Sequence, residues 1–290
     1  MTVTGKTKVV GVWGHPVGHS RSPAMHNAAL QSLGLDWVYV PFDVDPDPAN
    51  VKDALAGLRA LGLVGVNVTV PLKESVGPLL DEVDEDARWI GSVNTIHSRD
   101  GRLYGHSTDG AGFLRSLEAV GQPTRSRSVL LLGAGGSARA IAFALAAGGC
   151  RLQIANRTEA RAAALAGGVN ARYPRAAHVV GWGAEAEAFD LLVNTTTQGM
   201  QPNEDALPAL PPNAFAGKPL VYDLIYAPAQ TKLLAAAAAA GCETMNGVNM
   251  LVWQGAVSLA LWTGRRPEEM PVAVMETAVR AALESPEKTW

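Results

Sequence analysis

The residues of this chain with chemistry to offer fall into two groups, and the first is a glycine turn. Gly133-Ala134-Gly135-Gly136-Ser137-Ala138 follows the apolar run Ser128–Leu132 and opens a helical stretch. It fits G-x-G-x-x-[G/A]. Glycines there let backbone N–H groups approach a pyrophosphate, and the helix N-terminus adds about half a positive charge. A strand before the turn and a helix after it are the context this motif needs, since an ordinary strand–helix turn can carry the same glycines. The end of the next strand sharpens the reading. Enzymes that use NAD place Asp or Glu about 20 residues after the first glycine, on the ribose 2′-hydroxyl. Here that place holds Asn156, Arg157 and Thr158, with Arg161 one helical turn on. Arg157 offers charged donors to a 2′-phosphate, which a carboxylate would repel. The spacing predicts an NADP site built from Gly133, Ala134, Gly135, Gly136, Ser137, Asn156, Arg157, Thr158 and Arg161.

The second group is a scatter of polar residues in apolar surroundings. His19-Ser20-Arg21-Ser22-Pro23 puts two hydroxyls at a helix start. Asn67 and Thr69 share one face of an apolar strand, because side chains alternate with period two. Lys73 follows Pro71, Asn94 and Thr95 sit in a strand, Asp109 lies at a junction, and Gln254 is embedded in an apolar helix. Each has a plain alternative. Ser20, Ser22 or Asp109 would serve as helix caps, Thr69 suits a strand by propensity, Lys73 reads as a solvated lysine, and Gln254 would satisfy a buried backbone group. Together they outline a pocket of hydroxyls and amides with one lysine and one carboxylate, suited to a small polyhydroxylated acid.

The elements that must position these groups alternate. Strands are expected over 8–13, 37–44, 65–70 and 92–98. Helices are expected over 22–33 and 48–61, and another starting at Pro71. Arg99-Asp100-Gly101 marks a hairpin into 102–104. From 108 onward a helix over 110–119 leads to strands at 128–132, 151–155, 190–194 and 220–224, with a helix at 138–147. The alanine run 235–240 closes at Gly241 as a helix with a glycine stop. This rhythm predicts an α/β protein with a doubly wound parallel sheet. Helices at 248–262 and 268–283 are expected to pack back on the first part. The expected division is 1–108, 109–245 and 246–290.

Length and composition set the bounds. At roughly 150 residues per domain, 290 residues suggest two domains. Hydrophobic residues are 48% and charged residues 18%, which excludes a mostly disordered chain. Lys+Arg is 24 against Asp+Glu 27, a formal charge of −3, so neither nucleic acid nor an anionic membrane is expected as a partner. Two cysteines, Cys150 and Cys242, build no disulfide framework, and no metal site is expected. No signal peptide or transmembrane run is visible, so a cytoplasmic protein is expected.

The whole chain resembles the shikimate dehydrogenase family. The matching stretches are HSRSP at 19–23, NVTVPLKE at 67–74, GSVNT at 91–95, STDGAGF at 107–113, GAGGSAR at 133–139, NRT at 156–158, NTTTQGM at 194–200, YDLIY at 222–226 and GVNMLVWQGA at 247–256. The resemblance implies NADP-dependent reduction of 3-dehydroshikimate to shikimate, a step of chorismate and aromatic amino-acid biosynthesis, by a monomer or homodimer. It implies a substrate domain made of the N-terminal part and the C-terminal helices, with a Rossmann NADP domain between them. Carried over by position, Ser20 and Ser22 hold the substrate carboxylate with Tyr226. Asn67, Thr69, Asn94 and Gln254 bind ring hydroxyls. Lys73 and Asp109 are the catalytic pair. Thr195, Leu224, Gly247 and Glu85 contact the cofactor. Ser107, Thr195 and Asn249 depart from the family's usual residues. A paralogue acting on quinate or preferring NAD, a folate-type methylene dehydrogenase, and a catalytically silent binding protein on the same fold are the alternatives. HSRSP with Lys73 and Asp109 speaks against the second, and the intact lysine and aspartate against the third.

Overall fold

The computed structural model describes residues 3–284. The chain divides into two compact units, one running to Gly112 and resuming at Leu251, the other Phe113–Met250.

The first unit is built on a six-stranded mixed sheet. Its strands are β1 (Lys8–Gly14), β2 (Trp37–Asp43), β3 (Gly65–Val68), β4 (Glu82–Val83), β5 (Thr95–Arg99) and β6 (Arg102–His106), in the order β2-β1-β3-β5-β6-β4. β1 runs parallel to both β2 and β3, while β3–β5 and β5–β6 are antiparallel. The β5–β6 hairpin closes on Asp100 and Gly101 at φ 52 and 74, the left-handed pair that a two-residue Asp-Gly turn demands. Helices α1 (Ser22–Ser32), α2 (Pro48–Ala60) and α3 (Glu85–Ile90) connect the strands. One core gathers Val51, Leu55 and Leu58 of α2 with Val66, Leu72, Val76, Ile96 and Leu103.

Three local expectations fail in this unit, each for a stated reason. β3 stops at Val68, so Thr69 stands beyond the strand that was to share its face with Asn67. Pro71, which has no N–H to give a ladder, follows too closely. The helix expected at Pro71 is only a 3-10 turn, Leu72–Glu74, followed by a second at Gly77–Leu79. Pro78 can supply no N–H to a continuing helix. Ser22 does not cap α1: Arg21 holds the cap position and Ser22 is the first helical residue.

The second unit carries a six-stranded sheet of β7 (Ser128–Leu132), β8 (Arg151–Ala155), β9 (Ala177–Val179), β10 (Leu191–Asn194), β11 (Leu220–Asp223) and β12 (Thr244–Met245). The order is β12-β11-β10-β7-β8-β9 and every neighbouring pair is parallel. Read from β9, this is the doubly wound dinucleotide-fold order. β7 and β10 are central and wholly buried, which explains their unbroken apolar runs. α4 (Asp109–Glu118), α5 (Gly136–Ala147), α6 (Glu159–Arg172) and α7 (Lys232–Ala239) complete it. The division between units falls inside α4 and inside α8 (Val248–Thr263). The last helix, α9 (Val272–Glu284), packs on α1 and buries Met275 and Val279. Among the described residues no helix is long and apolar enough to cross a membrane.

One buried group in the first unit sets a pH dependence. His26 of α1 is wholly buried, stacked on Tyr39 at 4.2 Å with the rings 3° apart, and neither ring nitrogen has a hydrogen-bond partner among the described residues. Burial lowers its pKa from 6.5 to about 3. The unfolded chain therefore takes up this proton first, so stability is full above about pH 6.5 and falls as the pH drops toward 3, by up to about 1.4 kcal/mol per unit. Urea unfolding at pH 7 and pH 4.5 should show a smaller loss for His26→Leu than for the unaltered chain. Parallel losses would contradict the assignment.

Candidate functional site

In the first unit the sequence places Lys73 on a tight 3-10 turn and Asp109 on the first turn of α4, where a carboxylate meets the positive helix end. Lys73 Nζ donates to Asp109 Oδ2 at 2.6 Å, and the two side chains are only 14% and 6% exposed. This excludes the solvated-lysine reading. The other carboxylate oxygen, Asp109 Oδ1, accepts from Asn94 Nδ2 at 2.7 Å. The orientation of Asn94 is fixed by the backbone: Thr108 N–H donates to Asn94 Oδ1 at 2.8 Å, so the amide nitrogen must face the carboxylate. That nitrogen also donates to Thr108 Oγ1 at 2.9 Å and reaches Gln254 Oε1 at 3.4 Å.

Asn67 joins the same network from β3. Its Nδ2 donates to Ser258 Oγ at 2.9 Å, Thr95 Oγ1 at 3.1 Å and the Asn94 carbonyl at 3.3 Å. Ser258 Oγ donates to the Gln254 carbonyl one turn back along α8 and lies 2.8 Å from Thr95 Oγ1 and 3.1 Å from Thr108 Oγ1. Thr95, Thr108 and Ser258 are buried. Lys73, Asp109, Asn94, Gln254 and Asn67 therefore belong to one hydrogen-bonded group. Ser20 and Thr69 stand outside it among the described residues. The Ser20 hydroxyl accepts the Ser22 N–H at 3.3 Å, and the Thr69 methyl fills the space over Gly14. Glu85 is exposed at the start of α3. The group is rich in hydrogen-bond donors, with one ammonium held by one carboxylate. It can bind hydroxyls and deliver a proton to an oxygen that gains negative charge.

The second unit places its candidate residues at the carboxyl ends of the central strands. Gly133 leaves β7 at φ 110, and a Cβ there would collide with the Thr195 hydroxyl, which donates to the Leu132 carbonyl at 2.7 Å. β7 and β10 are neighbours whose connections leave to opposite sides, the switch point at which such sheets bind ligands. Gly135 caps α5 and Gly136 begins it, so the first N–H groups of the helix have no side-chain cap. Asn156 Nδ2 donates to the Thr158 carbonyl at 2.8 Å, shaping the turn before α6. Arg157 and Arg161 are exposed on that turn. Gly247 packs so closely on Leu224 that a Cβ would strike its carbonyl. Tyr226 follows on the same segment, half-buried. A side-chain-free cradle with two exposed arginines beside it fits a phosphorylated dinucleotide.

Several supporting residues escaped the sequence reading. Thr108 and Ser258 look like ordinary loop and helix residues, and each bonds to partners far away in sequence. Asp223, at the end of β11, is a wholly buried carboxylate. Burial pushes its pKa up, while hydrogen bonds from Thr231, the Ile225 N–H and Asn194 pull the other way. The one available signal was a charged residue ending an apolar strand.

Comparison with known proteins follows the same lines. Three family models match in order: the shikimate dehydrogenase substrate binding domain over residues 12–96, shikimate / quinate 5-dehydrogenase over 117–202, and the shikimate 5′-dehydrogenase C-terminal domain over 247–280. A shikimate dehydrogenase (NADP(+)) of Moorella thermoacetica is 49% identical over 97% of this chain and 95% of its own length. A crystal structure of a shikimate dehydrogenase in complex with NADP+ superposes with a TM-score of 0.92 at 41% identity, covering 98% of each chain. The Thermus thermophilus shikimate 5-dehydrogenase, solved with NADP(H) and shikimate, gives 0.86 at 40% identity over 95% of this chain and 100% of that one.

The arginine turn has a direct consequence. Removing one charged contact to a 2′-phosphate, typically about 1.5–3 kcal/mol, should weaken NADP by about 10–100-fold in Arg157→Ala and leave NAD unaffected. Steady-state KM values for the two cofactors check this. An equal change for both would show that Arg157 does not read the phosphate.

Proposed function

The chain belongs to the shikimate dehydrogenase family, and from that premise we propose that it catalyses the reversible, NADP-dependent reduction of 3-dehydroshikimate to shikimate. The observation that carries the proposal is the nearly buried Lys73–Asp109 pair at 2.6 Å, fixed through Asn94. In this reading residues 1–108 and 246–290 bind the acid and 109–245 bind the cofactor. Ser20 and Ser22, with Tyr226, take the carboxylate. Asn67, Thr69, Asn94 and Gln254 take the ring hydroxyls. NADP rests on Gly133, Ala134, Gly135, Gly136 and Ser137, with Asn156, Arg157, Thr158 and Arg161 at its 2′-phosphate. Thr195, Leu224, Gly247 and Glu85 complete its contacts.

NADP, when bound, supplies the hydride for reduction and takes it up in oxidation. The residues of the chain handle charge and protons. Reducing a ketone leaves negative charge on the former carbonyl oxygen. The Lys73 ammonium, which carries more donors than the one spent on Asp109, stabilises that charge and delivers the proton. Asp109 holds the ammonium in place and Asn94 holds Asp109. In oxidation the hydroxyl proton leaves through the same pair. The site carries its donors ready-made on buried, mutually bonded side chains, so little reorganisation accompanies the reaction. A reaction fed by the cellular nicotinamide pool belongs in the cytoplasm, where we place it.

General acid–base help is typically worth 10²–10⁴-fold. Lys73→Ala should lower kcat for shikimate oxidation by about 100-fold or more, with a much smaller change in KM. Production of NADPH absorbance from shikimate and NADP reads this directly. Near-full kcat in the variant would remove Lys73 from the mechanism.

A further inference from the structure

Asn194 and Asp223 end the neighbouring strands β10 and β11, and both are wholly buried. Neither has a part in the functional reading, yet each reaches into a segment that does. Asn194 Oδ1 accepts the Thr196 N–H at 3.1 Å and the Thr196 hydroxyl at 2.8 Å. A backbone N–H only donates, so the amide cannot be turned over and Asn194 Nδ2 must face Asp223. It donates to Asp223 Oδ1 at 3.0 Å. The same oxygen accepts the Ile225 N–H at 3.1 Å, and Asp223 Oδ2 accepts the Thr231 hydroxyl at 2.6 Å. Thr231 Oγ1 in turn accepts the Leu234 N–H and caps α7.

A buried carboxylate is costly unless donors meet it, and here they come from three separate segments. Backbone bonds carry the arrangement further. The Leu224 N–H donates to the Asn194 carbonyl and the Gly247 N–H to the Ile225 carbonyl, each at 3.0 Å. Thr195 gives its N–H and its hydroxyl to the Leu132 carbonyl at 2.9 and 2.7 Å. Strand order says which part of a dinucleotide meets this platform. The glycine turn follows β7 and the arginine turn follows β8, whereas β10 and β11 lie on the other side of β7. A dinucleotide crosses the reversal of strand order with its pyrophosphate at the glycine turn. With the 2′-phosphate at Arg157, the nicotinamide half extends over the ends of β10 and β11.

We propose that Asp223 is a positioning residue for the nicotinamide half of the cofactor, its carboxylate fixing the segments after β10 and β11 through Asn194, Ile225 and Thr231. The inference rests on the functional reading above, which puts NADP on this unit with Thr195, Leu224 and Gly247 against it. Wholly buried and bonded to three segments of the chain, the carboxylate acts through them. The 2′-phosphate end, on the far side of the glycine turn, owes nothing to it.

That division supplies the test. Adenosine 2′,5′-bisphosphate carries the 2′-phosphate and lacks the nicotinamide. Its binding and that of NADP+ are measured by calorimetry on the unaltered protein, Asp223→Asn and Thr231→Val. In Asp223→Asn the amide oxygen must stay with the Ile225 N–H and Asn194 Nδ2, so the amide nitrogen turns to Thr231, whose proton loses its acceptor. Thr231→Val removes the same bond and leaves the carboxylate in place. Each variant should raise the Kd for NADP+ by about 10-fold, the size of one lost bond to a charged group, and leave the bisphosphate unchanged. A merely structural role would weaken both ligands together. If the unaltered protein binds neither ligand, the functional reading falls and this inference with it. If it binds both, and the variants either hold NADP+ as tightly or lose both ligands equally, only the role of Asp223 is overturned.

Discussion

An ammonium and a carboxylate, 2.6 Å apart and almost out of water, are costly to hold unless every remaining lone pair and proton finds a partner. Much of the first unit answers that requirement. Asp109 Oδ2 is met by Lys73 and Oδ1 by Asn94. Asn94 cannot flip because a backbone N–H, from Thr108, holds its oxygen. Beneath it, Thr95, Thr108 and Ser258 exchange hydroxyl bonds and tie α8 to β3 through Asn67. A network of this kind is stabilising only when complete. The mixed sheet, the 3-10 turn at Lys73 and the first turn of α4 bring these groups together from distant parts of the chain.

The second unit meets a similar demand with backbone in place of side chains. The strand order of its parallel sheet reverses between β7 and β10, leaving their carboxyl ends open. Gly133 yields its side-chain volume to the Thr195 hydroxyl, which closes on the Leu132 carbonyl and stiffens the turn. One strand further on, the buried Asp223 collects donors from Thr231, Ile225 and Asn194, pinning the segment that leads to Leu224 and Gly247. Both units therefore support their functional edges with polar groups sunk into apolar strands.

How much of this was legible in the sequence depends on how local each cause is. β7 and β8 lie to the residue where the sequence puts them: β7 is a fully buried apolar run, and β8 is buried from Leu152 to Ala155 behind an exposed Arg151. The Asp-Gly hairpin and the glycine turn were legible because positive φ is a local demand with few solutions. Thr69 and the stretch after Pro71 were misread, because a proline's effect on its neighbours outweighed the alternation of side chains. Ser22 looked like a cap from its place before Pro23, but the helix starts one residue earlier relative to that expectation, with Arg21 in the cap position. Lys73, Asp109, Asn94, Asn67 and Gln254 were visible as oddities, yet nothing local reveals that they bond to one another. Ser258 gives no signal at all: its importance lies in partners across the fold, and an apolar helix accommodates it without comment.

The most direct test of the account is the coupling between the two ends of the ion pair. kcat for shikimate oxidation is measured in the Lys73→Ala, Asp109→Ala and doubly substituted proteins. If the pair acts as one device, the second substitution adds little to the loss caused by the first, a strongly non-additive cycle. Losses that multiply would contradict it, because they would show two residues contributing separately and would leave the buried network as scaffolding alone.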